Sequence, residues 1–124
     1  MMKFIDIPCE ISFVKVASYT GTESSGKITE VIGLNEDITG REVVIVEDIV
    51  DTGKTMERML KVLWEKSPAN IHISTLLLKP GKLQVALNIK YAAMEIPNDF
   101  IVGYGLDYDQ QGRNLRDIYT LVQE

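Results

Sequence analysis

Two aliphatic runs separated by one amphipathic stretch constrain this chain more than any other feature. Val43-Val44-Ile45-Val46 contains no polar residue. A strand apolar on both faces belongs in the interior of a parallel sheet, so a buried strand is expected over 42–46. Met56, Met59, Leu60 and Leu63 recur at i, i+3, i+4 and i+7, which predicts a helix over 55–66 with one apolar stripe. Ser67-Pro68 stops it, because proline cannot continue the hydrogen-bond ladder. A second buried strand is expected over 71–78. Strand, helix, strand in this order specifies an α/β fold with a mostly parallel sheet.

The rest of the chain adds shorter elements. Strands are expected over 11–18 and 27–33, and the small, polar stretch between them, Tyr19 to Gly26, reads as a mobile hairpin tip. Residues 91–94, 100–104 and 118–122 are further strand candidates. At 124 residues, one domain spanning 1–124 is expected. The net charge of −5 disfavours a general nucleic-acid binder, so any bound anion must be held by a local device. Cys9 is the only cysteine, which fits a reducing cytoplasm, and it is expected to pack. Asp6 cuts short the N-terminal apolar run, and no aliphatic run is long enough for a bilayer, so no membrane role is expected.

The chemistry concentrates between the two runs. Val46 is followed by Glu47-Asp48-Ile49-Val50-Asp51 and then Thr52-Gly53-Lys54-Thr55. Gly-Lys-Thr suggests an ATP-binding loop, but that motif needs a glycine where Asp48 stands. A different device fits better. Thr52, Gly53, Lys54 and Thr55 open a helix, where backbone N–H groups and the dipole favour one phosphate monoester. Glu47 and Asp48, expected in an acidic turn at the strand end, can accept from vicinal hydroxyls or hold hydrated Mg2+. Phosphate beside a diol describes a ribose 5-phosphate. Ligands of open α/β sheets bind at this end of the strands.

This wording, Val-Val-Ile-Val-Glu-Asp-Ile-Val-Asp-Thr-Gly-Lys-Thr, resembles the phosphoribosyl pyrophosphate (PRPP) motif of the type I phosphoribosyltransferases. It is closest to the hypoxanthine-guanine members. The resemblance implies that family's sheet flanked by helices. It also implies that Glu47 and Asp48 serve the ribose hydroxyls and magnesium, and that Thr52 to Thr55 wrap the phosphate. Asp51 matches the proposed general base for the purine proton. The segment starting at Phe100 resembles the purine-binding strand and loop. Phe100 would stack on the base, backbone groups near Ile101 would read its edge, and Lys79 would donate to the 6-oxo group. A donor-only ammonium favours hypoxanthine or guanine over adenine. Asp107 matches a residue holding magnesium and pyrophosphate, and Arg113 one contacting pyrophosphate, although Gly112 replaces a common aromatic. Ser18-Tyr19 resembles the opening of the mobile lid.

The implied activity joins a 6-oxopurine to PRPP in purine salvage, giving a nucleoside monophosphate and pyrophosphate. The family's N-terminal strand-loop-helix, with its Lys-Gly pyrophosphate contact, has no counterpart upstream of Ile11. The chain is therefore expected to be the C-terminal part of the family's domain. An open sheet edge is expected, covered in a homo-oligomer, and transferase activity is expected to be weak or absent. The alternatives are a non-catalytic nucleotide- or PRPP-binding protein and an inactive fragment. His72 is read as a solvent-facing strand residue, and Trp64 as either an interface or a core residue.

Overall fold

The computed structural model describes residues 1–20 and 27–122, without the side chains of 18–20 and 27–29. Among the described residues, seven strands and one α-helix form: β1 Lys15–Thr20, β2 Lys27–Ile32, β3 Glu42–Val50, α1 Lys54–Trp64, β4 Asn70–Leu78, β5 Tyr91–Glu95, β6 Ile101–Val102 and β7 Tyr119–Thr120. The central sheet has the order β3-β4-β5. The Arg41 carbonyl accepts from Ala69 N–H at 2.9 Å, and the Val50 carbonyl accepts from Lys79 N–H at 3.1 Å. Both strands thus advance in the same direction, as the strand-helix-strand pattern requires. β4 and β5 are also parallel, pairing Ser74 with Tyr91 and Leu78 with Glu95.

The residues fall into two compact units, Met1–Ile45 with Gly53–His72, and Val46–Thr52 with Ile73–Glu124. In the first, β1 and β2 form an antiparallel hairpin and α1 packs against it. The helix buries Met56, Met59 and Leu63, the i, i+3 and i+7 members of the predicted stripe, with Ile38 and Ile45, whereas Leu60 at i+4 is only partly buried. At the outer end of β3, the Glu42 carboxylate accepts from Asn70 Nδ2 at 2.7 Å and pairs with His72 Nε2 at 2.9 Å. These hydrogen bonds hold the Glu42 carboxyl below its ordinary range, Asn70 contributing most. His72, expected to face solvent, is a strand residue only partly exposed and paired with Glu42, and Trp64 is about half exposed.

In the second unit, Val50, Ile73, Leu77 and Leu78 form the core, with Leu77 only 1% exposed. β6 and β7 pair as a short antiparallel ribbon.

Several expectations are corrected. β3 does not stop at Val46: it continues through Glu47 and Asp48 to Val50, so the acidic pair lies inside a strand and not in a turn. β3 is also an edge strand among the described residues, and Val44 and Val46 are 57% and 52% exposed. Aliphatic content on both faces looks the same in sequence whether or not the second face is covered. Cys9 is exposed rather than packed, in a segment where Phe4, Ile7 and Ile11 are exposed too. The strand expected over 11–18 starts only at Lys15, and those over 100–104 and 118–122 contract to two residues each. Positive φ at Gly103 and Tyr104 ends β6 early.

Candidate active site

Three chain segments leave the central sheet at its carboxyl end and meet within the second unit. The segment after β3 carries Asp51. Directly after β4 comes Lys79, followed by a single 3-10 turn, Pro80–Lys82. The segment after β5 leads to Phe100 and Ile101. Backbone bonds tie them together: Gln84 N–H donates to the Thr52 carbonyl at 2.9 Å, and Ile96 N–H to the Leu78 carbonyl at 2.8 Å. Between them opens a cleft of about 490 Å³, lined among others by Asp51, Lys79, Lys82, Phe100, Ile101 and Asp107. Its place matches the rule that open α/β sheets bind ligands outside the carboxyl ends of their strands.

Lys79 is the unusual member. It is only 5% exposed, whereas lysines are almost never fully buried without a partner. Its Nζ lies 3.8 Å from Asp51 Oδ2. The Lys82 ammonium donates to the same oxygen at 3.0 Å. The second oxygen, Asp51 Oδ1, is shielded from solvent and has no hydrogen-bond partner among the described residues. Phe100 is 53% exposed and meets the Tyr108 ring edge-on at 5.7 Å between centroids. The cleft thus presents a buried donor, a carboxylate and an aromatic face. That set suits a planar heterocycle carrying both a carbonyl and an N–H.

The other expected site residues are distributed differently. Glu47 and Asp48 are consecutive in β3, so their side chains leave on opposite faces. Glu47 is half-buried, and burial, aided by the Asp48 charge, pushes its carboxyl above the usual range. Asp48 is exposed, and its Oδ1 accepts from Ile49 N–H at 2.7 Å. Asp107 pairs with Arg113 at 2.9 Å, and Arg113 also donates to the Gly105 carbonyl at 2.8 Å. No group of three acidic, histidine or cysteine side chains converges as a metal cage among the described residues. Magnesium needs fewer ligands, because one or two carboxylates with substrate oxygens and water suffice, and the exposed Asp48 fits that requirement.

In the first unit, Gly53 is the N-cap of α1 with φ +84°, a left-handed conformation that glycine adopts freely. Lys54 and Thr55 form the first turn, with the N–H groups directed out of the helix end, where an anion is favoured. Ser18 and Tyr19 belong to β1, but their side chains and the tip at 21–26 lie outside the described residues, as does the expected lid.

The phosphoribosyl transferase domain family matches residues 3–109, most of the chain. The chain belongs to that family. A hypoxanthine-guanine phosphoribosyltransferase of Mycobacterium bovis is 42% identical over 122 residues, which is 98% of this chain and 60% of that relative. One of Streptococcus pneumoniae is 43% identical, over 100% of this chain and 69% of the relative. The chain thus spans about 60–70% of the length of the curated relatives it matches. A hypoxanthine phosphoribosyltransferase crystal structure from Staphylococcus aureus superposes with TM-score 0.85 at 40% identity, covering 98% of this chain and 66% of the other. A Leishmania tarentolae relative in complex with GMP gives TM-score 0.69 at 34% identity, covering 73% and 53%.

Within this phosphoribosyltransferase fold, sequence reasoning missed Lys82. The signal was present: Lys79-Pro80-Gly81-Lys82 places two lysines three apart across a proline-glycine turn. Lys82 N–H closes the turn onto the Lys79 carbonyl at 3.1 Å, and both ammonium groups face Asp51 Oδ2.

Proposed function

We propose that this chain is a single phosphoribosyltransferase domain that handles 6-oxopurines, moving the 5-phosphoribosyl group of PRPP onto hypoxanthine or guanine with release of pyrophosphate. The observation that carries this reading is the buried Lys79 donor in the same cleft as the Asp51 carboxylate. Lys79 donates to the 6-oxo group and so disfavours a 6-amino purine, which would bring a second donor against it. Phe100 supplies a stacking face. As the bond from the ribose C1′ to purine N9 forms, the bond from C1′ to the pyrophosphate oxygen breaks, and the N7 proton passes to Asp51. Thr52, Gly53, Lys54 and Thr55 hold the 5-phosphate at the helix end. One of Glu47 and Asp48, which leave β3 on opposite faces, serves the ribose hydroxyls. Mg2+ would accompany PRPP, held by Asp107 and one of Glu47 and Asp48 together with substrate oxygens, and would neutralise charge on the leaving diphosphate. Arg113 contacts the pyrophosphate after giving up Asp107, and Ser18 and Tyr19 open the lid. We place the enzyme in the cytoplasm, as a homo-oligomer, dimer or tetramer, in which a second copy covers the exposed edge strand β3.

Binding without turnover is the second reading, favoured by the Arg113–Asp107 pair, which occupies two of the residues meant for pyrophosphate. Calorimetry with GMP, IMP and AMP, beside an assay for conversion of hypoxanthine to IMP, separates the two. Tight GMP and IMP binding with weak AMP binding is expected, and Lys79→Met is expected to erase that preference. Equal binding of all three nucleotides overturns the 6-oxopurine reading. Binding without conversion selects the binder.

A further inference from the structure

We infer that Lys82 is the positioning residue of Asp51: by holding Oδ2 it fixes the carboxylate that meets a base N–H and leaves Lys79 free for a base carbonyl. The inference rests on the reading of the cleft as a purine site. The two lysines are not equivalent. Lys82 Nζ is at hydrogen-bond distance from Oδ2, 3.0 Å, whereas Lys79 Nζ is 3.8 Å away, close enough for attraction but too far to spend a proton there. Without Lys82, the Asp51 charge would face Lys79 alone, and nothing would keep that ammonium from closing onto the carboxylate. Both ligand contacts would then be lost together. Lys82 is held in place by the turn itself, through Lys82 N–H to the Lys79 carbonyl at 3.1 Å, and by the Gln84–Thr52 backbone bond. The remaining charged groups lining the cleft are Asp99 and Asp107, and Asp107 is already paired with Arg113. Lys82 is therefore the cation available to fix Asp51 without being consumed by the ligand.

Hypoxanthine and 7-deazahypoxanthine separate the contributions, because the second keeps the carbonyl and ring shape but has C–H in place of N7. Binding of each is measured by calorimetry to the wild-type chain, Lys82→Met and Lys82→Arg, with folding checked by circular dichroism. The wild type is expected to prefer hypoxanthine by about tenfold, the scale of one hydrogen bond to a charged group. Lys82→Met is expected to lose that preference and Lys82→Arg to keep it. A folded Lys82→Met protein with the full preference overturns the role of Lys82 while sparing the purine reading. A wild-type chain that binds both bases equally overturns the assignment of Asp51 as the acceptor of the base N–H. A wild-type chain that binds neither overturns the purine reading and the inference with it.

Discussion

Gly103→Ala tests how tightly the β6–β7 ribbon is built. Gly103 is buried at φ +99°, and its N–H and carbonyl bond reciprocally with Leu106 at 2.9 and 3.0 Å. A Cβ there would stand 2.1 Å from the Asp117 carbonyl oxygen and 3.2 Å from Leu115 Cβ. The left-handed conformation costs an alanine about 1–2 kcal/mol. The Asp117 carbonyl is backbone and must also retreat by about 0.9 Å to reach the shortest tolerated contact of 3.0 Å. That movement disturbs the Ile101–Thr120 and Val102–Tyr119 pairs and the Leu121–Phe100 bond, adding about 1 kcal/mol for each hydrogen bond weakened. Gly105 is the internal control, with φ +97° and nothing within 4 Å of its Cβ position. Gly105→Ala should therefore cost only the conformational part, and Gly103→Ala about 2 kcal/mol more. With a urea slope of about 2 kcal/mol per molar, the two midpoints should differ by about 1 M in unfolding followed by circular dichroism. Coincident midpoints would refute the packing argument. A gap with normal purine affinity would show that Phe100 and Ile101 keep their places without the ribbon.

Leu77→Ala should destabilise by about 2–5 kcal/mol in the same assay, because Leu77 is 1% exposed, whereas exposed Val46→Ala should change stability by about 0.5 kcal/mol or less. Glu47 gives a pH signature. Its carboxyl is raised by burial, so just above the ordinary glutamate range the native state binds more protons than the unfolded state, and stability falls as pH rises through that window. Glu47→Gln should flatten that decline in unfolding curves recorded from about pH 4.5 to 8, with higher stability than the wild type at the upper end. Asp51→Asn removes the carboxylate beside buried Lys79 and should cost about 1–3 kcal/mol. Asp51→Asn with Lys79→Met should cost less than the two single changes added together, which a double-mutant cycle measures.

The sequence alone carried the βαβ unit, because period and composition report burial directly: the Met56, Met59 and Leu63 stripe is buried as its spacing requires. It also carried the family, through the run from Val43 to Thr55, and the candidacy of Asp51, Lys79, Phe100, Ile101 and Asp107, which line one cleft. What it could not carry is anything that depends on which surfaces face each other. An aliphatic strand looks the same at an edge or in a sheet centre, so the exposure of Val44 and Val46 appeared only in three dimensions. An acidic pair looks the same in a turn or a strand, and only the strand sends Glu47 and Asp48 to opposite faces. The Lys82–Asp51 and Arg113–Asp107 pairs were likewise decided by the tertiary structure. A charge's identity is local, but its partner is set by turns that bring together residues far apart in the chain.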